Sequence, residues 1–318
     1  MTEIRIINDG ESLAEKLVGT VATIGVFDGV HLGHQALFKL VVNKAKELDL
    51  NPAVITFDQH PTKVTSPDNA PRTLTKIKRK LELFQENGIE YVYLIKFNQK
   101  RSETSAKEFF REVFVAGINA KYVYVGEDFQ FGYRKEGDVN LLHSEGAKVG
   151  IDVSGIPLIK DHTIKESAIS STAIRMHLQN GEMALVNKKL GRMYEYEGKV
   201  IAGDGRGSSI GFPTANLAID QELAIPAEGV YAAWFQCHDG AVKKAAVNIG
   251  RRPTFKDDDP ILQIEAHLLN FDGDLYGQLG RLSFVQKIRE EKKFKSLEEF
   301  QGQLRADLTN IRSLLENS

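Results

Sequence analysis

One stretch near the start of the chain restricts the fold more than any other: Thr23-Ile24-Gly25-Val26-Phe27-Asp28-Gly29-Val30-His31-Leu32-Gly33-His34. The uncharged, largely apolar run from Val21 to Phe27 reads as a strand buried on both faces. Asp28-Gly29 breaks that strand, and from His31 onward Leu37, Leu40, Val41, Ala45 and Leu48 recur at three- and four-residue steps. A strand, a tight turn and a helix N-terminus follow in order. Such an end carries free N–H groups and the positive pole of the helix dipole, so it attracts anions. His31 and His34 project from one face of the first helical turn, and Gly33 between them lets a ligand approach the backbone. Imidazoles donate to phosphate oxygens and share developing charge near neutral pH, which suits a triphosphate being cleaved. Two surface histidines at a helix start are the bland alternative. The flanking glycines and the buried strand weigh against it, and no further His or Cys cluster lies nearby to complete a zinc shell.

The runs that follow repeat the theme. Ala53-Val54-Ile55-Thr56-Phe57, Tyr91-Val92-Tyr93-Leu94-Ile95 and Tyr122-Val123-Tyr124-Val125 read as strands, with helical stretches between them at Lys76 to Asn87 and Ala106 to Val115. This alternation predicts an α/β, doubly wound parallel sheet covered on both faces, with ligands outside the carboxyl ends of its strands. Three strand ends then converge on one crevice: the histidine stretch, Phe57-Asp58-Gln59-His60-Pro61, and Gly126-Glu127-Asp128-Phe129-Gln130-Phe131-Gly132. Phe129 and Phe131 alternate and should face one side, either toward a ligand or as plugs of the sheet edge. The basic cluster Lys76-Ile77-Lys78-Arg79-Lys80 reads as a solvated helix face without function. Further on, Ser170-Ser171-Thr172-Ala173-Ile174-Arg175 opens a short helical pattern ending at Gly181. Its hydroxyls can cap the helix, or with Arg175 form a second phosphate-binding surface.

At 318 residues the chain accommodates two domains, and its texture changes near Asn187. Beyond it, Tyr196 to Ala202, Gly229 to Cys237, Ala245 to Ile249, Gln263 to Leu269 and Arg281 to Ile288 are short strand candidates, predicting an antiparallel barrel or sandwich. The expected domains are therefore residues 1–187 and 188–318. A terminal helix from Ser296 to Leu315 carries Leu297, Phe300, Leu304, Leu308, Ile311 and Leu315 on one stripe, with Ser296 as N-cap. Within this half, the run from Gly203 through Gly205, Gly207 and Gly211 to Pro213-Thr214-Ala215-Asn216 can turn backbone N–H groups around phosphate oxygens. It is not a Walker A loop. Thr214 and Asn216, two apart on an extended segment, point the same way and offer neutral oxygens suited to Mg²⁺.

The net formal charge of −2 gives no electrostatic reason to expect nucleic acid or an anionic membrane as partner, which leaves small-molecule substrates. A single cysteine, Cys237, rules out an internal disulfide and fits a reducing cytoplasm. The start Met1-Thr2-Glu3-Ile4-Arg5 lacks the pattern of a secretory leader, and no apolar run reaches the length of a membrane span.

The stretch from Gly25 to His34 resembles the HxGH signature of the nucleotidyltransferase superfamily, and Ser170 to Arg175 resembles its second signature, SSTxIR, with Ala173 at a position where many members are basic. Gly-x-x-x-Gly-Phe-Pro-Thr-Ala-Asn resembles the flavokinase signature, and three further segments match in order, at Pro226 to Ala232, Asn248 to Phe255 and Glu265 to Phe271; Ile288 to Phe294 completes the set. Together they cover nearly the whole chain, which resembles the bacterial bifunctional riboflavin kinase and FAD synthetase family. That resemblance implies an N-terminal FMN adenylyltransferase domain and a C-terminal riboflavin kinase barrel, using ATP and Mg²⁺ to convert riboflavin to FMN and FMN to FAD. It implies charge stabilisation by His31, His34 and Arg175, and ATP contacts at Gly25, Phe27, Asp28, Gly33, Ser171 and Thr172. Asp128 would contact FMN, although Gln130 stands where members often carry Arg or Thr. In the kinase half it implies ATP contacts at Gly205, Gly207, Gly211 and Pro213, metal ligation by Thr214 and Asn216, Glu265 as the base, and a flavin contact at Arg289. Two other readings stay open at this point: a different HxGH nucleotidyltransferase, and a flavin-binding regulatory protein without turnover.

Overall fold

The computed structural model describes residues 3–12, 18–157, 169–203, 212–252 and 261–316. The chain divides into two compact units, Met1–Ser171 and Thr172–Ser318.

The first unit runs β1 (Arg5–Asn8), β2 (Thr20–Ile24), α1 (Leu32–Leu48), β3 (Asn51–Phe57), α2 (Ile77–Glu86), β4 (Tyr91–Ile95), α3 (Ala106–Phe109, continued by a π-helical Phe110–Gly117), β5 (Ala120–Gly126), α4 (Val139–Val149) and β6 (Asp152–Ile156). Its six strands pair in parallel in the order β1-β4-β3-β2-β5-β6. The strand pleat sorts side chains between two cores. Val21, Val54 and Val92 join Phe38, Val41 and Phe84 on one face, beneath α1 and α2. Ala22, Ile24, Ile55, Tyr93 and Ile95 join Phe110, Phe114 and Leu142 on the other, beneath α3 and α4. All five residues of β2 are buried, as an apolar run with helices on both sides requires.

The chain winds from β2 through β3 to β4 on one side and returns to β5 on the other. The carboxyl end of β2 therefore opens at the topological switch point, where sheets of this kind bind ligands. Two sequence expectations shift in detail. The strand expected to reach Phe27 ends at Ile24, because the backbone leaves the sheet at Gly25. The buried stripe of α1 is Phe38, Val41 and Ala45, whereas Leu40 and Leu48 are exposed. Leu40 lies two residues from Phe38 and so on the far side of the helix.

The second unit comprises nearly all of α5 (Ser171–Gln179), then α6 (Met183–Leu190), β7 (Tyr194–Ile201), β8 (Ala215–Leu217), β9 (Gly229–Gln236), β10 (Val242–Arg252), β11 (Ile261–Leu268), β12 (Leu279–Arg289) and α7 (Leu297–Leu314). The strands close into an antiparallel barrel in the order β10-β11-β8-β7-β12-β9. Alternation along β9 sends Val230, Ala232 and Trp234 toward α7, where they meet Leu308, Ile311 and Leu315, while Tyr231, Ala233 and Phe235 fill the interior. Ser296 caps α7 by accepting from the Glu299 N–H at 3.2 Å, as its position predicts, but Leu297 stays exposed. The helix α6 is bound to the barrel through Asn187: its side-chain amide donates to the Phe284 and Val285 carbonyls and its Oδ1 accepts from Tyr194 N at 2.8 Å.

Candidate active sites

In the first unit the candidate site is the loop between β2 and α1. Phe27 (φ 51°), Gly29 (φ 80°) and Val30 (φ 41°) all occupy the left-handed region. For a β-branched residue such as Val30 this is costly, and it persists only where the surroundings enforce it. The enforcement is visible residue by residue. Gly25 donates to the Ile55 carbonyl at 3.1 Å, and the Phe27 ring folds back so closely that a Cβ at Gly25 would meet it at 2.9 Å. That ring stands edge-on to His34, Phe38 and Phe84, with centroids 5.1, 5.0 and 6.0 Å away. The buried Asp28 carboxylate accepts from Leu74 N through both oxygens at 2.9 Å, and from Thr75 N at 3.2 Å. Its carbonyl accepts from the Ser171 hydroxyl at 2.8 Å.

His31 is the N-cap of α1, with its Nδ1 3.4 Å from the His34 N–H that it accepts, and the two imidazoles stack 3.5 Å apart. A Cβ at Gly33 would lie 3.1 Å from the His31 ring, so this glycine makes room for the histidine as well as for any ligand. The two histidines thus act as one stacked pair at a helix N-terminus, the geometry that shares negative charge on a phosphate.

At the neighbouring strand ends, Asp58 accepts from Phe97 N at 3.0 Å and Gln59 donates to Phe97 O at 2.8 Å, which ties the loops after β3 and β4 together. Past β5, Asp128 is exposed, and its Oδ1 occupies space that a side chain at Gly126 would need. Phe129 and Phe131 do face one side, stacked 5.4 Å apart, and both pack against the core. Thr172 and Arg175 lie on α5, Thr172 exposed and Arg175 half-buried, within the second unit.

In the second unit the barrel register assembles the candidate site. Asn216 of β8 is paired with Glu265 of β11, which is paired on its other side with Asn248 of β10. Directly opposed residues share a face, so a carboxylate stands between two carboxamides. A side chain at Gly203 would collide with the Asn216 carboxamide. Two residues from Glu265 on the same face, His267 places its Nδ1 2.8 Å from the Pro213 carbonyl, and its ring lies against Phe212. A carbonyl only accepts, so Nδ1 carries the proton there. Thr214 and Asn216 offer neutral oxygens of the kind that Mg²⁺ takes. The predicted phosphate contacts Gly205, Gly207 and Gly211 lie outside the described residues. Arg289 engages Asp307 of α7 with Nε and Nη2 and donates from Nη1 to the Glu290 carbonyl.

Three residues escaped the sequence reading. Lys80 belongs to the basic cluster that reads as a solvated face, yet it is 6% exposed and donates three hydrogen bonds. Its spacing from Leu83 and Phe84, three and four residues on, places it on the buried stripe and was the available signal. His267 could have been found from its period-two relation to Glu265. Asn248 had no local signal, because its neighbour comes from another strand.

A parallel sheet with a histidine-capped helix at its switch point, followed by a closed barrel with an Asn/Glu/Asn row, defines a two-domain transferase. Residues 13–173 match the family model for FAD synthetase, and residues 190–315 the one for riboflavin kinase. The chain is 35% identical to the bifunctional riboflavin kinase/FMN adenylyltransferase of Escherichia coli K12, over 92% of each chain. It is 34% identical to that of Bacillus subtilis 168, over 96% of each. The chain belongs to the bifunctional riboflavin kinase/FMN adenylyltransferase family. It also superposes on a crystal structure described as a macrolide-efflux protein from Streptococcus pneumoniae, with a TM-score of 0.85 and 28% identity over 97% of this chain and 99% of that one. Among the described residues here, no helix is long and apolar enough to cross a membrane.

Proposed function

We propose that residues 188–318 transfer the γ-phosphoryl group of ATP to the 5′-hydroxyl of riboflavin, and that residues 1–187 join the resulting FMN to the AMP moiety of a second ATP. In the first reaction the hydroxyl oxygen bonds to the γ-phosphorus, the bond to the β-bridging oxygen breaks, and ADP leaves. Glu265 takes the hydroxyl proton. Thr214 and Asn216 would hold Mg²⁺, which when bound neutralises charge on the transferring phosphates. In the second reaction an FMN phosphate oxygen attacks the α-phosphorus and pyrophosphate leaves. No enzyme nucleophile is needed, because the attacking oxygen is already anionic. His31, His34 and Arg175 bear the charge that develops on the transferring and leaving groups, and Ser171 and Thr172 contact the ATP. Asp128 orients FMN from the loop after β5, and Arg289 borders the flavin in the barrel.

The single observation that supports this most is the stacked His31–His34 pair at the helix N-terminus on the switch point of the sheet. The test is to incubate the purified protein with riboflavin, ATP and Mg²⁺ and separate the flavins over time. FMN should appear first and FAD after it. His31→Ala should reduce FAD formation by about 10²–10³ while leaving FMN formation intact, the usual cost of removing one such donor. Glu265→Gln should block FMN formation from riboflavin yet leave FAD formation from supplied FMN. Loss of both activities in each variant would refute two independent sites.

A further inference from the structure

Lys80 lies in the first turns of α2, and its ammonium sits beneath the loop that presents His31 and His34. Its Nζ donates to the Val26 carbonyl, the Thr56 hydroxyl and the Phe57 carbonyl, each at 3.1 Å. The Thr56 hydroxyl is itself fully buried and donates at 3.2 Å to the same Val26 carbonyl. Thr56 and Phe57 are the last two residues of β3, and Val26 lies in the loop after β2, immediately before the left-handed Phe27. We propose that Lys80 is a positioning residue for adenylyl transfer: its charged ammonium clamps the loop after β2 to the end of β3 and so holds the strained Phe27–Val30 turn in the shape that presents His31 and His34 to phosphate. This rests on the reading of the first unit as the adenylyltransferase.

The clamp needs all three donors. A neutral amine has two, so loss of the proton must release one acceptor. Burial pushes the Lys80 pKa down from 10.5 to about 8, against the opposing pull of Asp28 and Asp58. Those two carboxylates are the charged groups facing it, Asp28 from the loop after β2 and Asp58 from the loop after β3. Asp28 also holds the turn from its other side through Leu74 and Thr75. Adenylyl transfer should therefore fall as pH rises through about 8, whereas the second ionisation of the FMN phosphate lies near 6 and is complete by then. Stability moves in the opposite sense. An unfolded lysine keeps its proton to about 10.4, so between the two values the unfolded chain binds more protons and this group's contribution to stability rises with pH. An activity loss from this cause cannot be thermal unfolding.

The experiment measures FAD formation from supplied FMN and ATP between pH 7 and 9.5, with circular-dichroism melting at each pH, on the full chain and on Lys80→Met. The wild type should lose rate through pH 8 with no drop in melting temperature at that step. Lys80→Met leaves the Val26, Thr56 and Phe57 oxygens without this donor, so its melting temperature at pH 7 should fall while the chain stays folded at the assay temperature. Its kcat should fall about 10²-fold, the scale of a displacement near 1 Å at reacting groups, with a smaller change in KM for ATP and no alkaline step. A wild-type rate that stays flat across pH 8, or a Lys80→Met enzyme with wild-type kcat, would overturn the proposal. So would a variant that fails to fold, since Lys80 would then serve the fold as a whole. Wild-type protein that makes no FAD from FMN at any pH would instead refute the adenylyltransferase reading itself.

Discussion

His267 illustrates how much one hydrogen bond can organise. Its Nδ1–H holds the Pro213 carbonyl, and Pro213 precedes Thr214, whose hydroxyl is the proposed metal ligand. The imidazole therefore holds the backbone next to that proposed ligand. Replacing His267 with Ala should reduce kcat/KM for riboflavin phosphorylation by roughly threefold to tenfold, the rate equivalent of one neutral hydrogen bond of about 0.5–1.5 kcal/mol. Adenylylation of supplied FMN, measured on the same preparation, should be unchanged. Residues of this kind are poorly legible in a sequence. The HxGH spacing points to His31 and His34 directly, because both lie within one helical turn. Nothing local says that Asp28 accepts from Leu74 and Thr75, or that Lys80 reaches Val26, since those partners are 46 to 54 positions apart.

At the scale of elements, α7 is held to the barrel by an apolar stripe and by the ion pair of Arg289 with Asp307. The Arg289 guanidinium meets the buried Asp307 carboxylate through two nitrogens, and Gln303 donates to the same carboxylate at 2.9 Å. Asp307→Ala strands a partly buried guanidinium, so it should destabilise the second unit by about 3 kcal/mol, the lower end for broken buried pairs. The chain has one tryptophan, Trp234, which packs on the cluster beneath α7. A fall in the urea midpoint of its fluorescence checks the prediction, and an unchanged midpoint counts against the clamp. The elements themselves were largely readable. Strands β3, β4 and β5 and the capped terminal helix follow from period and capping residues. The short β8 was legible only as an extended segment, because three residues carry too little pattern and its strand character comes from pairing with β7 and β11.

For the whole molecule, the two family models match in succession, at residues 13–173 and 190–315, so the two reactions should be separable. Mixing His31→Ala protein with Glu265→Gln protein should then restore FAD formation from riboflavin, because FMN released by the first variant is a substrate for the second. FMN accumulating with no FAD in the mixture would mean that it cannot pass between molecules. What the sequence determined alone is what depends on neighbours along the chain: the sheet-forming runs, the histidine-capped helix and the order of the two domains. Those signals persist because pleat, helical turn and capping act over two to four residues. Tertiary structure alone decided which groups meet across the fold: Lys80 under the histidine loop, Asn248 and Asn216 on either side of Glu265, and Arg289 on Asp307. Such contacts exist only once sheet packing and barrel closure have brought remote segments together, and no local pattern encodes which segments those will be.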